Sequence, residues 1–249
     1  MGLLAKDSFV CIDCETTGLE PTTDRLIEIA VVKFTFDEIL DSYQTLIDPE
    51  ISIPQLTIDI HHITDQLVAG KPKVAEILPK VLEMARNQII VGHGIQLDIA
   101  FISEEAKRNQ IPCTLQGNPF FDTLRMARLY GQCPVNSLER LRQHFNIADE
   151  GAHRAMSDVI VNIDVFKYLS DGFKKTEELQ RRLEKPILMK AMPLGKHKGQ
   201  PFADIPVEYL RWAANKDFDQ DLLFSIRSEL KKRKKGSQFR QSANPFSEL

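Results

Sequence analysis

Two apolar runs near the start of the chain constrain its fold more than any other feature. Residues 9–12 (FVCI) form the first run, and residues 27–36 (IEIAVVKFTF) form the second and longer one. The turn between them is rich in Gly, Pro, Thr and Asp, and residues 39–47 follow as a further candidate strand. Apolar, partly β-branched runs bounded by turn residues are typical of buried strands. The sequence therefore predicts a sheet whose first three strands are consecutive along the chain.

Helical patterns alternate with strands further along. Apolar residues at helical spacing predict helices at residues 74–86, 97–108, 122–130 and 137–145, the last with Ser137 as its N-cap. Residues 88–91 return to a strand that Gly92 ends. From Ala155 onward, apolar residues recur every three or four positions and predict another helix. Strands that alternate with helices imply a layered α/β fold, here a mixed sheet flanked by helices.

The charge distribution divides the chain near Pro186. Residues 185–249 carry 13 Lys/Arg against 7 Asp/Glu, a net charge of about +6, whereas residues 1–184 carry 19 against 28, a net charge of about −9. We expect a main domain at 1–172, a helical linker at 173–190, a small basic C-terminal module at 191–235 and a polar, disordered tail at 236–249.

The N-terminal sequence and the lengths of the apolar stretches indicate the cellular compartment. Its N-terminus, MGLLAKDSF, does not resemble a signal peptide, and apolar stretches of about 18 residues are absent from the sequence. We therefore expect a cytoplasmic protein without a membrane partner. Cys11 and Cys14 form a C-x-x-C, but residues three apart in a strand point to opposite faces, and a second Cys pair that could complete a zinc site is missing. Buried thiols are the favoured interpretation.

A pair of carboxylates follows the first strand. Asp13 and Glu15 are two residues apart, so they project from the same face of the strand's end. Adjacent carboxylates without a basic neighbour repel each other and favour a hard divalent cation, Mg²⁺ or Mn²⁺. The pattern alone is weak, because Asp48 and Glu50 form a second D-x-E. The first pair is distinguished by its context, the end of a buried strand that leads into a Thr-Thr-Gly turn.

Three motifs in a fixed order carry a resemblance to a known family. They are D-x-E-T-T-G at 13–18, G-H-x-x-x-x-D at 92–98 and H-R-A-x-x-D at 153–158. Together they resemble the DnaQ-like 3′-to-5′ exonucleases whose site has four acids and a histidine, the family that contains the proofreading subunit of bacterial DNA polymerase III. The resemblance covers about residues 8–170 and implies an RNase H-like fold. It has departures: His62 replaces the family's usual glycine, Gly94 a common asparagine and Leu97 a frequent phenylalanine.

The resemblance implies a role for each matched residue. Asp13, Glu15 and Asp158 would hold two divalent ions, Mg²⁺ or Mn²⁺, and Asp98 would support the site directly or through water. His153 would be the general base, since an imidazole with a pKa of ~6.5 can accept a proton from water near neutral pH.

The substrate side of the site is also implied by the resemblance. Thr16 would contact the terminal 3′-hydroxyl, and Leu19 and Ile63 would wedge between or stack on the last bases, with ordinary packing as the alternative for both. The implied reaction releases nucleoside 5′-monophosphates from DNA 3′ ends, single-stranded or frayed, in repair or proofreading. Two alternatives stay open: an exoribonuclease, and a non-catalytic module that binds nucleic acid or the replication machinery.

The basic C-terminal part resembles the small module of exonuclease X-like proteins, which has a similar F-G-K-Y-x-G-K and Y-L-R-W pattern. Lys196 and Lys198 would hold phosphates or simply be solvated, whereas we assign Tyr209 and Trp212 to a core rather than to base stacking. A cluster of five basic residues at 231–235 is a further candidate for phosphate contacts. Residues 241–246 (QSANPF) resemble peptides that bind the bacterial sliding clamp, which suggests the clamp or the polymerase as a partner.

Overall fold

The computed structural model describes residues 3–133, 135–148 and 154–242, with side chains described as far as Lys234. It divides into two compact units between Leu183 and Glu184. At the centre of the first unit lies a five-stranded mixed sheet with the strand order β3-β2-β1-β4-β5. The strands are β1 (Phe9–Thr16), β2 (Leu26–Phe34), β3 (Ile39–Leu46), β4 (Ile89–Gly92) and β5 (Phe120–Asp122). Strands β1 to β3 pair antiparallel, and β1, β4 and β5 pair parallel.

Helices flank this sheet and form most of the second unit. The first unit contains α1 (Gln55–His61), α2 (Asp65–Val68), α3 (Val74–Ala85), α4 (Gln96–Arg108), α5 (Thr123–Tyr130), α6 (Leu138–His144), α7 (Ala155–Ser170) and α8 (Thr176–Leu183). The second unit contains α9 (Val207–Ala213) and α10 (Gln220–Ser242). Within the described residues, none of these helices combines the length and the apolar composition needed to cross a membrane.

The side-chain alternation along β1 separates two cores. Phe9 and Cys11 face one side of the sheet, where they pack with α7, and Val10 and Ile12 face the other side, where they pack with α3 and α4. The α7 side is dense in aromatic rings, with Phe9 and Phe166 centroids 5.1 Å apart. Because Asp13 and Glu15 continue the register of Phe9 and Cys11, they belong to the α7 side.

The observed elements agree with most of the sequence pattern. The predicted helices at 74–86 and 97–108 appear as α3 and α4, and Ser137 is the N-cap of α6. Strand β5 was missed, and Asp122, predicted as helical, caps α5 instead by accepting a hydrogen bond from the Leu124 amide at 2.9 Å. Helices α1 and α2 were also missed, since both are short and their apolar spacing is irregular.

The observed boundary between the units differs from the expected linker at 173–190. Helix α8 lies within that segment, and its Leu179 and Leu183 join the core on the α7 side. The Arg125 guanidinium also donates a hydrogen bond to the Leu183 carbonyl at 2.6 Å. The segment is therefore part of the first unit as far as Leu183. At the other end, α10 continues to Ser242, past the expected start of a disordered tail.

The second unit has its own small core. Its buried apolar side chains are those of Met192, Phe202, Ile205, Leu210, Ala213, Leu222 and Ile226. The buried Asp221 carboxylate accepts a hydrogen bond from the Ile187 amide at 3.0 Å, which ties the start of the unit to α10. The prediction that Trp212 belongs to this core is wrong, because 51% of its surface is exposed.

Candidate active site

Three carboxylates converge at the end of β1. Asp13 and Glu15 project from β1 toward α7, and Asp158 lies in the first turn of α7. Each offers one oxygen, and these oxygens lie within 4.8 Å of one another. The strand supplies two of the acids because residues two apart share a face, and packing of α7 on the sheet brings the third.

Asp98 reaches the same region from the opposite side of the sheet. It lies in the first turn of α4, directly after the turn that ends β4. The Cys14 thiol, which faces α4, donates a hydrogen bond to the Asp98 carboxylate. Burial raises the pKa of Asp98 to about 7, although the hydrogen bonds from Cys14 oppose the shift. Cys14 therefore has a contact that its C-x-x-C spacing did not reveal.

The carboxylates raise one another's pKa. Burial is the largest cause for Asp13, whose pKa lies well above its usual value, and the charges of Asp98, Asp158 and Glu15 add to it. Burial also raises the pKa of Glu15 to about 8, with Asp158 as the next cause. Burial and the neighbouring acids therefore favour the protonated forms of Asp13 and Glu15, although the charge of Arg154 opposes this for Glu15.

This donor set fits divalent metal ions. Its ligand atoms are carboxylate oxygens, which hard cations such as Mg²⁺ and Mn²⁺ prefer. The unfavourable charge density that raises the pKa of Asp13 and Glu15 is the kind that a cation relieves. The residues present therefore fit a metal centre built on Asp13, Glu15 and Asp158.

An ion pair between the buried Glu28 and the half-exposed Arg154 side chain fixes the start of α7. Glu28, on β2 directly across from Glu15, is 0% exposed and accepts hydrogen bonds from Arg154 Nε at 3.1 Å and Nη2 at 2.8 Å. The Ala155 amide and the Gln44 side chain also donate to Glu28. Burial raises the pKa of Glu28, but the hydrogen bonds from Arg154 and Gln44 outweigh it and lower the pKa.

The Glu28–Arg154 pair was not predicted from the sequence. Arg154 is the N-cap residue of α7, so its contact with Glu28 sets where the helix that carries Asp158 begins. The available signal was one acid, Glu28, inside an otherwise apolar run. Such an acid is rare in a buried strand unless it is paired.

A family model described as an exonuclease matches residues 10–166. The epsilon subunit of DNA polymerase III from Aquifex aeolicus is 31% identical over 164 residues, which are 66% of this chain and 80% of that protein. This chain belongs to the exonuclease family.

Other similar proteins share only part of their length with this member of the exonuclease family. The PolC-type DNA polymerase III of Clostridium perfringens is 36% identical over 175 residues, 69% of this chain, but the chain spans only 12% of that relative's length. A second family model, named for a quorum-sensing-regulated virulence factor, matches residues 180–226.

Two solved structures confirm the predicted RNase H-like mixed sheet flanked by helices. E. coli exonuclease I in complex with a dA16 oligonucleotide has a TM-score of 0.61 at 19% identity, covering 71% of this chain and 43% of its own. Exonuclease X in complex with 5′ overhanging duplex DNA has a TM-score of 0.56 at 22% identity, covering 71% of this chain and 99% of its own. At such identities the likeness concerns the fold.

Two departures from the family's motifs fall on left-handed backbone. Gly94 has a φ of 75° and His62, the C-cap of α1, a φ of 59°. Glycine and asparagine tolerate this conformation best, so asparagine and glycine are interchangeable at position 94 at little cost. The Gly94 amide donates to the Asp122 carboxylate at 2.9 Å, which fixes the turn just before Asp98.

The turn predicted to meet the substrate is held at both ends. The Thr16 hydroxyl donates to the Gly18 carbonyl at 2.5 Å, and a side chain at Gly18 would overlap the Asp24 carboxylate. Arg108 of α4 donates to the Pro21 carbonyl at 2.5 Å. Leu19 stands out from this turn with 80% of its surface exposed. It is therefore accessible to a ligand.

Ile63 does not share this accessibility. It is 1% exposed and packs with Ile27, Ile53 and Val68. The prediction that it contacts the last bases is wrong for this structure, and the packing alternative describes its position. The sequence at 60–64 (IHHIT) could not reveal this, because a buried and an exposed isoleucine look the same in sequence.

His153 lies outside the described residues, which resume at Arg154. Its assignment as the general base stays a prediction. His93, the histidine of the second motif, has structural contacts: its Nδ1 lies 3.1 Å from the Thr123 hydroxyl, and burial lowers its pKa to about 4.

Proposed function

We propose that this chain is a metal-dependent 3′-to-5′ exodeoxyribonuclease that releases nucleoside 5′-monophosphates. The observation that carries the proposal is the convergence of Asp13, Glu15 and Asp158, from two distant parts of the chain, at the end of the central strand of an exonuclease-family sheet. A non-catalytic module would have no need to gather mutually repelling acids, whose repulsion lowers stability.

Each acid has a role in this proposal. Asp13, Glu15 and Asp158 would hold two Mg²⁺ or Mn²⁺ ions, with Asp98 as support. When bound, such ions activate water and stabilise the charge that develops on a phosphate. His153 accepts the proton of the attacking water. The ion pair with Glu28 fixes Arg154, the residue that follows His153 in the chain.

The substrate end is assigned to the turn after β1. Thr16 orients the 3′-terminal nucleotide, and the exposed Leu19 side chain packs against the last bases. DNA is favoured over RNA because the relatives named above are DNA polymerase III proteins and exonuclease X was solved with duplex DNA. An involvement in repair or proofreading follows from the same relatives.

The test is digestion of matched 5′-labelled DNA and RNA oligonucleotides with Mg²⁺, with and without chelator. We expect a ladder that shortens from the 3′ end of DNA and disappears with chelator. Faster digestion of RNA would make the chain an exoribonuclease. A ladder unchanged by chelator would contradict the proposed metal dependence of the reaction.

A matched pair of variants controls the assay. Glu15→Gln removes an acid from the cluster, whereas Glu50→Gln makes the same chemical change in the second D-x-E, where the side chain is 58% exposed. We expect loss of the ladder in the first variant and wild-type digestion in the second. Equal activity in both would mean that the cluster does not perform the reaction.

We also propose the sliding clamp or the polymerase as a partner of residues 241–246. Ala243 to Phe246 lie outside the described residues. Binding of the purified clamp to the full chain, compared with a Phe246→Ala variant, tests this, and equal binding by both would contradict it.

A further inference from the structure

Helix α9 presents two aromatic side chains on one face. Tyr209 and Trp212 are three residues apart, and their ring centroids are 5.3 Å apart. Tyr209 packs against the core of the second unit, whereas Trp212 is half exposed. The unit therefore folds around its core while one face of this pair stays open to solvent.

Two lysines lie against these rings. Lys196 Nζ is 5.0 Å from the Tyr209 ring centroid, and Lys216 Nζ is 5.0 Å from the Trp212 ring centroid. Both lysines are exposed. We call Lys196, Tyr209, Trp212 and Lys216 the aromatic–lysine platform.

The turn that carries Lys196 is packed onto the platform. Gly195 has a φ of 70°, and a side chain there would lie 3.1 Å from the Tyr209 hydroxyl. The His197 ring meets Tyr209 edge-on, with centroids 4.5 Å apart. The position of Lys196 is therefore set by the backbone as well as by its flexible side chain.

The chemistry of the platform matches one class of ligand. An unpaired nucleotide offers a flat base that stacks on an aromatic ring and, one sugar away, a phosphate that pairs with an ammonium group. Duplex DNA hides its base faces, and an acidic peptide offers no flat ring for each charge. Glu208, exposed on the same helix, opposes the lysines, but residues 185–249 still carry 13 Lys/Arg against 7 Asp/Glu.

We propose that the aromatic–lysine platform binds single-stranded DNA, with a base stacked on Trp212 and neighbouring phosphates paired with Lys196 and Lys216. It is a binding surface additional to the carboxylate cluster. The choice of DNA rests on the proposed function, whereas the choice of a single strand rests on the exposed rings.

Trp212 is the single tryptophan of the chain, so tryptophan fluorescence measures binding at the aromatic–lysine platform. Oligothymidylate is titrated into the full chain with chelator present to prevent digestion, while tryptophan fluorescence is followed. We expect saturable quenching that weakens as salt rises, because phosphate contacts release counterions. An unchanged spectrum while labelled oligonucleotide binds would overturn the proposal, and so would quenching by a blunt duplex as strong as that by the single strand.

Variants distinguish base stacking on Trp212 from a general attraction between the basic unit and DNA. Binding is measured by fluorescence anisotropy of a labelled oligonucleotide. We expect Trp212→Ala to weaken binding by about ten- to a hundred-fold and Trp212→Phe to retain most of it. Lys196→Ala/Lys216→Ala should weaken binding more than Lys231→Ala/Lys232→Ala, which removes the same charge from exposed positions of α10. Equal losses in the two double variants would overturn the proposal.

Two further outcomes keep this inference distinct from the proposed function. Tighter binding of oligouridylate RNA than of oligothymidylate would overturn the choice of DNA. Loss of nuclease activity in Glu15→Gln with tryptophan quenching retained supports both proposals. Normal nuclease activity of the wild-type chain without quenching by oligothymidylate would overturn the platform proposal and leave the proposed function standing.

Discussion

The two D-x-E pairs of this chain have the same sequence pattern and different surroundings. Asp13 and Glu15 end a central strand and face α7, where Asp158 joins them. Asp48 and Glu50 follow β3 at the sheet's edge, where the Asp48 carboxylate accepts a hydrogen bond from the Glu50 amide at 3.0 Å and Glu50 pairs with Lys73.

The difference shows that environment decides the chemistry of such a pair. Solvent and a lysine satisfy the second pair, so its charges need no further partner. Burial and neighbouring acids raise the pKa of Asp13 and Glu15, and this unfavourable charge density favours binding of a divalent cation. Changes in the two pairs and in the residues around the cluster should therefore differ widely in their effects.

Asp13→Asn should reduce nuclease activity by at least about a hundred-fold, because bound metal supplies several kcal/mol of transition-state stabilisation. Asp48→Asn should leave activity near the wild-type level. Initial rates on a 5′-labelled oligonucleotide measure both. Comparable losses in the two variants would remove the distinction between the pairs.

His153→Ala should lower kcat by about 10²- to 10⁴-fold, the usual contribution of a general base. Metal affinity should be unchanged, since the imidazole is assigned to the proton and not to the cluster. Single-turnover rates and calorimetric Mn²⁺ binding separate the two effects. A kcat close to wild type would reassign the base.

Glu28→Gln should lower kcat by about 10–100-fold, as is common for residues that orient metal ligands. The Arg154 guanidinium then loses its charged partner, and the start of α7 loosens. Arg154→Gln should produce a similar loss, and the double variant should be little worse than either, because the two residues act as a pair. Additive losses would show that each residue acts separately.

The metal-free protein should become less stable as pH rises from about 4.5 to about 8. Glu15 and Asp98 have folded-state pKa values of about 8 and about 7, above their unfolded values of ~4.3 and ~3.9, so the folded state holds more protons in this range. Thermal melts across pH measure this, and Mg²⁺ should raise the melting temperature most at the alkaline end. Glu15→Gln should flatten the pH dependence, whereas Glu50→Gln should not change it.

Glu50→Gly should have the smallest effect. Glu50 has a φ of 59°, which costs an L-residue free energy that glycine does not incur. Its exposed ion pair with Lys73 contributes little, so we expect a free energy of unfolding between unchanged and about 1 kcal/mol higher. Chemical denaturation measures it, and a clear destabilisation would mean that this pair also carries structural stability.

The sequence predicted the main strands and helices because their signals are local. Apolar alternation and helical spacing are properties of neighbouring residues, and they located β1, β2 and α3 within a few residues. Strand β5 was not predicted, because a strand of three residues is too short to show an alternation of apolar and polar side chains. Helix α8 was assigned to a linker because its composition is mostly polar. The sequence does not show that its Leu179 and Leu183 are buried in the core.

The candidate site was predicted in part. The three ordered motifs selected Asp13, Glu15, Asp98 and Asp158, and the structure brings Asp13, Glu15 and Asp158 together, with Asp98 close enough to raise the pKa of Asp13. Glu28 could not be assigned, because its partner Arg154 is 126 residues away. Leu19 and Ile63 were predicted alike and differ entirely in exposure.

The sequence alone determined the order of the three motifs and the residue types of the donor set, since both are read directly along the chain. It also determined that Asp13 and Glu15 share one strand face, since that depends only on residues two positions apart. The tertiary structure decided which of the two D-x-E pairs meets Asp158 of α7, which acid pairs with Arg154 at the start of α7 and which aromatic side chain remains exposed. These depend on contacts between distant segments, and burial and electrostatic repulsion arise only once those segments have packed together.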